Sequence, residues 1–154
     1  MVAALRSGMI QADIDAVYEK RAAAVAKRKQ AITGVNQFPN LDEAILEPFP
    51  QATPRAEVAG SEVIKALPVR PDAQAFEQFR DLSDGFLNSH GKRPALFSAN
   101  LGPIAHHTDR ATFSANLFAC GGVESIAGSG SVVTQELVQA FKQANTPVAV
   151  ICGS

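Results

Sequence analysis

Tryptophan is absent from the 154 residues, tyrosine occurs once, as Tyr18, and there are two cysteines, Cys120 and Cys152. Without CxxC spacing, two thiols exclude a disulfide framework and read as buried thiols of a reduced compartment. Three histidines, of which only His106 and His107 are adjacent, are too few for a structural zinc site. A charge surplus is missing too. Lys+Arg is 14 and Asp+Glu is 15, for a net charge of −1. That balance argues against nucleic acid as the main partner and against an electrostatic membrane anchor. No apolar run approaches the roughly 20 residues of a membrane-spanning helix. The opening residues lack the basic-then-apolar order of an export signal. The expected setting is the cytoplasm or an organelle matrix.

Charge is scarcest near the end of the chain. Residues 94–154 hold only Asp109, Arg110, Glu124, Glu136 and Lys142, 5 charges in 61 residues, whereas residues 1–93 hold 12 basic and 12 acidic side chains. The surface of a free-standing small domain carries more charge than that. The stretch is therefore expected to be a core packed between helices, or a surface that another chain covers.

What is present divides into three parts. In residues 9–30, Ile10, Ile14, Val17, Tyr18, Arg21, Ala24 and Val25 recur at three- and four-residue steps, which predicts an amphipathic helix stopped at Gly34. Residues 39–72 hold Pro39, Pro48, Pro50, Pro54, Pro68 and Pro71. Such density blocks helix and ladder alike. The apolar Phe38, Leu41, Ile45, Leu46 and Phe49 predict an extended connector that wraps a neighbour rather than a solvated tether. Residues 73–154 read as helix 73–88 capped by Asp72, strand 95–101, a helix capped by Thr108 and ending at Gly121-Gly122, strand 123–127, a helix capped by Thr134, and strand 148–152. Strands alternating with helices imply a parallel sheet with right-handed crossovers. Three strands make an incomplete version of a doubly wound fold, so the sequence is expected to be a fragment.

In open parallel sheets, ligands sit beyond the carboxyl ends of the strands. Here those ends are the loop Gly102–Asp109, the loop Gly128–Ser131 and the stretch Cys152–Ser154. His106 or His107 could ligate a metal or metallocofactor if a carboxylate such as Asp109 oriented the ring. Exposed loop histidines are the plainer alternative. Gly128-Ser-Gly-Ser lacks GxGxxG spacing and a Walker lysine, so a simple turn is expected. Ser98 and Ser114 have no histidine at nucleophile-elbow spacing, which argues against a hydrolase triad.

Two stretches carry a resemblance. Lys27-Arg-Lys-Gln-Ala-Ile-Thr-Gly-Val-Asn-Gln-Phe-Pro-Asn-Leu41 resembles the segment of the methylmalonyl-CoA mutase family that leaves the substrate barrel. Ala99-Asn-Leu-Gly-Pro-Ile-Ala-His-His-Thr-Asp-Arg-Ala-Thr-Phe-Ser-Ala-Asn-Leu-Phe118, with Gly121-Gly-Val-Glu124 and Val148–Ser154, resembles the first half of its flavodoxin-like, cobalamin-binding-type domain. The likeness is to the small (beta) subunit. It implies an α/β, flavodoxin-like (Rossmann-type) parallel sheet, incomplete, preceded by a helix and an extended proline-rich linker. Residues 1–38 would be the terminal helix of a substrate barrel of TIM type. Residues 39–93 would be an interdomain linker with one helix, and residues 94–154 the first three strands of the cobalamin-type domain.

The family isomerises methylmalonyl-CoA and succinyl-CoA with adenosylcobalamin, a cofactor that carries the hard chemistry itself. Its catalytic members have Asp-x-His-x-x-Gly after the first strand, the His being the lower axial cobalt ligand. Counted from Gly102, His106 takes the ligand position, Ile104 the Asp position and Asp109 the Gly position. Gly102, His106 and Asp109 are thus the candidate cofactor-binding residues, with His106 on cobalt only in a working site. The missing carboxylate and the lost glycine imply a degenerate site. The expected role is part of the non-catalytic small subunit, binding no cofactor itself and forming a heterodimer with a catalytic large subunit that handles the acyl-CoA. The alternatives are a catalytic cobalamin-binding domain that uses His106, and a flavodoxin-like binding module.

Overall fold

Strand β1 (Ala95–Asn100) has the apolar, β-branched-poor but buried sequence Ala-Leu-Phe-Ser-Ala-Asn, bounded by Pro94 and by Gly102 in the left-handed region at φ +75°. The structure is a computed structural model and describes residues 1–43, 64, 66, 67 and 69–153. Most of the expected proline-rich connector, with Ile45, Leu46, Phe49, Pro48, Pro50, Pro54 and Pro68, lies outside the described residues, as does Ser154.

The N-terminal part holds α1 (Val2–Arg6) and α2 (Met9–Ala26), hinged at Gly8 with φ +77°. The periodicity predicted one apolar face. In the structure Ile14 and Val17 are exposed, and among the described residues of α2 only Gln11 and Val25 are buried. The helix also stops well short of Gly34, because Arg28 turns the chain at φ +56°. Gly34 serves instead in a tight turn bridged between Thr33 and Gln37.

The remaining elements are α3 (Gln74–His90), β1, α4 (Ile104–Ala119), β2 (Glu124–Ala127), α5 (Thr134–Ala144) and β3 (Ala149–Cys152). Their order and type match the expectation. The strands form one parallel sheet in the order β2-β1-β3. That is the opening of a flavodoxin-like 2-1-3 arrangement, still incomplete at three strands. Because the chain reverses direction across the sheet between its two crossovers, right-handed connections put α4 and α5 on opposite faces. Packing agrees. Phe97 meets Phe141 of α5 at 6.0 Å between ring centroids. On the other face Val150 and Cys152 border α4.

Three expected caps differ. The side chain of Asp72 pairs with Arg21 of α2 rather than with the start of α3. Helix α4 begins four residues before Thr108, whose hydroxyl donates back to the carbonyl of Ile104 at 2.6 Å inside the helix. At α5 the N-cap position falls on Val133 rather than on Thr134, with no side-chain cap; just ahead of it Ser131 Oγ accepts from Val133 N at 3.0 Å and donates to Glu136 at 2.6 Å. A side chain with a better partner elsewhere does not cap, whatever its intrinsic preference.

Candidate functional site

The loops after β1 and β2 meet at the carboxyl end of the sheet, where a ligand site is expected. Leu101 N donates to Cys152 O at 2.7 Å, Gly102 N to Ser131 O at 3.2 Å, and Ser131 N to Asn100 O at 3.1 Å. These bonds knit the two loops into one surface. Gly128 lies so close to β1 that a Cβ there would sit 2.9 Å from both Phe97 Cζ and Ser98 O. Its glycine therefore serves packing on the strand. Asn100 fixes it further, its amide donating to Gly128 O at 2.9 Å.

The two histidines occupy the first turn of α4 rather than a loop. His106 is exposed, with Nδ1 near Gly102, 3.7 Å from where a Cβ would stand. His107, the next residue and about 100° further round the helix, is 7% exposed. Its ring packs against Gly130, where a Cβ would lie 2.8 Å from His107 Cε1. His107 Nδ1 is buried without a hydrogen-bond partner among the described residues. So the sheet end brings together His106 and Gly102. Asp109, one turn on and exposed, is not joined to either imidazole by any hydrogen bond or ion pair among the described residues.

Three observations bear on a cobalt-ligating role. Ile104, at the position of the orienting carboxylate, is 75% exposed and apolar. Among the described residues no carboxylate holds the far nitrogen of His106, and an axial histidine relies on such a partner for its tautomer and ring angle. The buried imidazole is His107, and it faces a glycine loop closed over it. Among the described residues, no group of three or more His, Cys, Asp or Glu is placed to hold a metal ion. These residues do not fit an axial-histidine site.

Sequence reasoning missed a buried polar cluster on the α4 side of the sheet. The Ser98 hydroxyl donates to Asn100 Oδ1 at 2.9 Å and lies 3.4 Å from Cys152 Sγ. The period-2 alternation of a strand puts Ser98 and Asn100 on one face, which was the available signal. With an amide rather than an imidazole beside it, the serine is positioned but not activated. Beyond this cluster, Phe113, Leu117 and Phe118 of α4 and Val150 and Ile151 of β3 line an open apolar groove of about 520 Å³. Ile151 is 73% exposed there, and β3 pairs with β1 on one side alone among the described residues.

The chain is 44% identical over 154 residues to the methylmalonyl-CoA mutase small subunit of Streptomyces virginiae, covering 99% of this chain and 24% of that protein. It is 41% identical over 136 residues to a probable methylmalonyl-CoA mutase small subunit of Mycobacterium tuberculosis, covering 88% of this chain and 20% of that protein. The small subunit of Propionibacterium freudenreichii subsp. shermanii is 34% identical over 143 residues, covering 92% of this chain and 20% of that protein. The chain therefore spans between a fifth and a quarter of the length of these curated relatives. No protein-family model matches it.

Proposed function

We infer a function from one premise: the chain belongs to the methylmalonyl-CoA mutase family, as a small-subunit sequence. We propose that it is part of a non-catalytic small subunit. In this reading it supports a catalytic large subunit that isomerises methylmalonyl-CoA and succinyl-CoA with adenosylcobalamin. Residues 1–38 are then the end of a substrate barrel, 39–93 the belt between domains, and 94–154 the opening of a cobalamin-type domain that holds no cobalamin through His106. The observation that carries the reading is the exposed His106 with no carboxylate beside it among the described residues and Ile104 where one would stand. The complex, not this chain, supplies the radical chemistry of the cofactor.

The exposed apolar surface supports an assembled role. Ile104, Phe113, Leu117, Val132 and Ile151 are each more than a third exposed in a stretch almost without charge. Phe113, Leu117 and Ile151 share one groove, and exposed apolar surface of this kind marks a place that is covered in use. No helix among the described residues is long and apolar enough to cross a membrane, so that cover is assigned to protein.

The test is spectroscopic. Hydroxocobalamin is added to the chain, to its His106→Ala variant, and to each after co-expression with a large subunit. The reading expects any cobalt–imidazole spectrum to require the large subunit and to be indifferent to His106→Ala. A histidine-ligated spectrum of the isolated chain that disappears in the variant would establish the catalytic alternative instead. Failure of the two subunits to co-purify would remove the assembly.

A further inference from the structure

The turn after α2 and the corner between α4 and β2 lie far apart in sequence, yet one side chain reaches both. Arg80, half-buried on α3, donates from Nη2 to Gly34 O at 2.6 Å and from Nε to Cys120 O at 3.2 Å. A longer contact of 3.5 Å runs to Val35 O. Gly34 and Val35 belong to the Thr33–Gln37 turn, and Cys120 closes α4 ahead of β2.

Both ends of this bridge are rigid. Asn36 is fully buried at 0% exposure, and its amide donates to Val25 O at 2.8 Å and Gln30 O at 2.9 Å. Its Oδ1 accepts from Ile32 N at 2.8 Å. One side chain thus serves the open carbonyl end of α2 and shapes the turn that follows it. On the other side, the Ser83 hydroxyl donates to Gly122 O at 2.6 Å, one helical turn along α3 from Arg80. Other links between the N-terminal part and the rest, among the described residues, include the pairs Arg21–Asp72 and Arg70–Asp15 and the stacking of Arg28 over Phe113 and of Arg70 over Tyr18. Such ion pairs at exposed positions contribute little. A guanidinium donating to partly buried carbonyls from a half-buried position contributes more, and its planar fork suits two acceptors at once.

We infer that Arg80 is the joint that makes α2 and the α/β unit one cooperative body. Without it, the two are tethered through the connector and held by surface pairs. With it, the orientation of α2 is transmitted through the Thr33–Gln37 turn to the Cys120–Gly122 corner from which β2 starts. The joint rests on this geometry and holds whether or not the chain acts within a mutase.

Hydrogen exchange on the whole chain tests it, comparing slowly exchanging amides in residues 9–30 with those in residues 95–100. The variants are Arg80→Met, Arg80→Lys and, as a control that removes one exposed cation, Lys142→Met. In Arg80→Met, exchange in 9–30 should speed up relative to 95–100 by about tenfold, the scale of one charge-assisted hydrogen bond. Arg80→Lys, with one point donor in place of a fork, should fall between, and Lys142→Met should leave the ratio unchanged. A ratio that stays constant in Arg80→Met overturns the joint, whether both segments loosen together or neither does. Should Arg80→Met not fold, the ratio is read on Arg80→Lys against Lys142→Met by the same criterion.

Discussion

Strand β2 has a glycine-bearing corner at each end, and the two are built differently. At its amino end Gly121-Gly122 lies under α3, with Ser83 donating to Gly122 O and Arg80 to Cys120 O. Arg93 completes that corner by donating to Ser83 at 3.1 Å and to Asp84 at 2.6 Å. At the carboxyl end, the Gly128–Ser131 loop closes over His107, whose Nδ1 has no partner among the described residues. Buried polar groups are normally satisfied, and an unsatisfied one costs about 1–3 kcal/mol. The first corner is thus a completed structural joint. The second lies at the sheet end where a ligand site is expected, and its buried histidine nitrogen is left without a partner among the described residues.

The largest expected effect belongs to the first corner. A Cβ at Gly122 would sit 2.6 Å from Ser83 Cβ and 2.8 Å from Ser83 Oγ, on a residue at φ +81°. Helix α3 would have to move and the backbone would be strained as well. Gly122→Ala should destabilise by about 3 kcal/mol or more, lowering the melting midpoint by roughly 10 °C. A midpoint within about two degrees of the parent would mean that α3 does not pack on this corner.

At the second corner the expected loss is smaller, because the His107 ring can turn aside whereas Ser83 Cβ moves only with α3. Gly130 has φ +77°, and its Cβ would meet His107 Cε1 at 2.8 Å and Gly102 O at 3.0 Å. Gly130→Ala should cost about 2 kcal/mol. Adding His107→Ala removes the ring contact but not the carbonyl contact, so the pair should be less destabilised than the sum of the singles. Strict additivity in urea melts of the four proteins would show that ring and loop do not touch.

The same contrast explains what was legible in the sequence. The strands and helices of the α/β unit were, since Pro94, Gly102 and Gly121-Gly122 punctuate short apolar runs and periodic stretches. Apolar residues in 94–154 with few charges among them also foretold the exposed groove beside β3. What escaped depends on long-range partners. Asp72 is drawn to Arg21, across 51 positions, instead of capping α3. The start of α4 at Ile104 rather than after Thr108 decides that His106 faces outward and His107 inward, and a four-residue displacement of a helix start cannot be resolved from periodicity. Asn36 and Arg80 escaped altogether: their acceptors are backbone carbonyls, which leave no mark in a sequence pattern.

The finest test of the comparison is a titration at the first corner. Cys120 is 2% exposed, and its thiol donates to Asn116 O at 3.0 Å. Burial pushes its pKa above the ordinary 9.0, against the smaller opposing pull of the Arg28 and Arg80 guanidinium groups and of a backbone hydrogen bond. In the unfolded chain the thiol ionises in its ordinary range, while the folded protein holds the proton to higher pH. Between those two points the unfolded state binds fewer protons, so stability falls as pH rises. The contribution is whole below the unfolded value and is lost as pH climbs through the folded one. Urea midpoints of the parent should therefore decline on going from about pH 8 to pH 10, and those of Cys120→Ala should decline less. The difference between the two curves isolates this thiol from every group the two proteins share. Parallel curves would mean that the corner under α3 admits water to the thiol, and the distinction between a completed corner and one with an unpartnered buried histidine would lose its sharpest support.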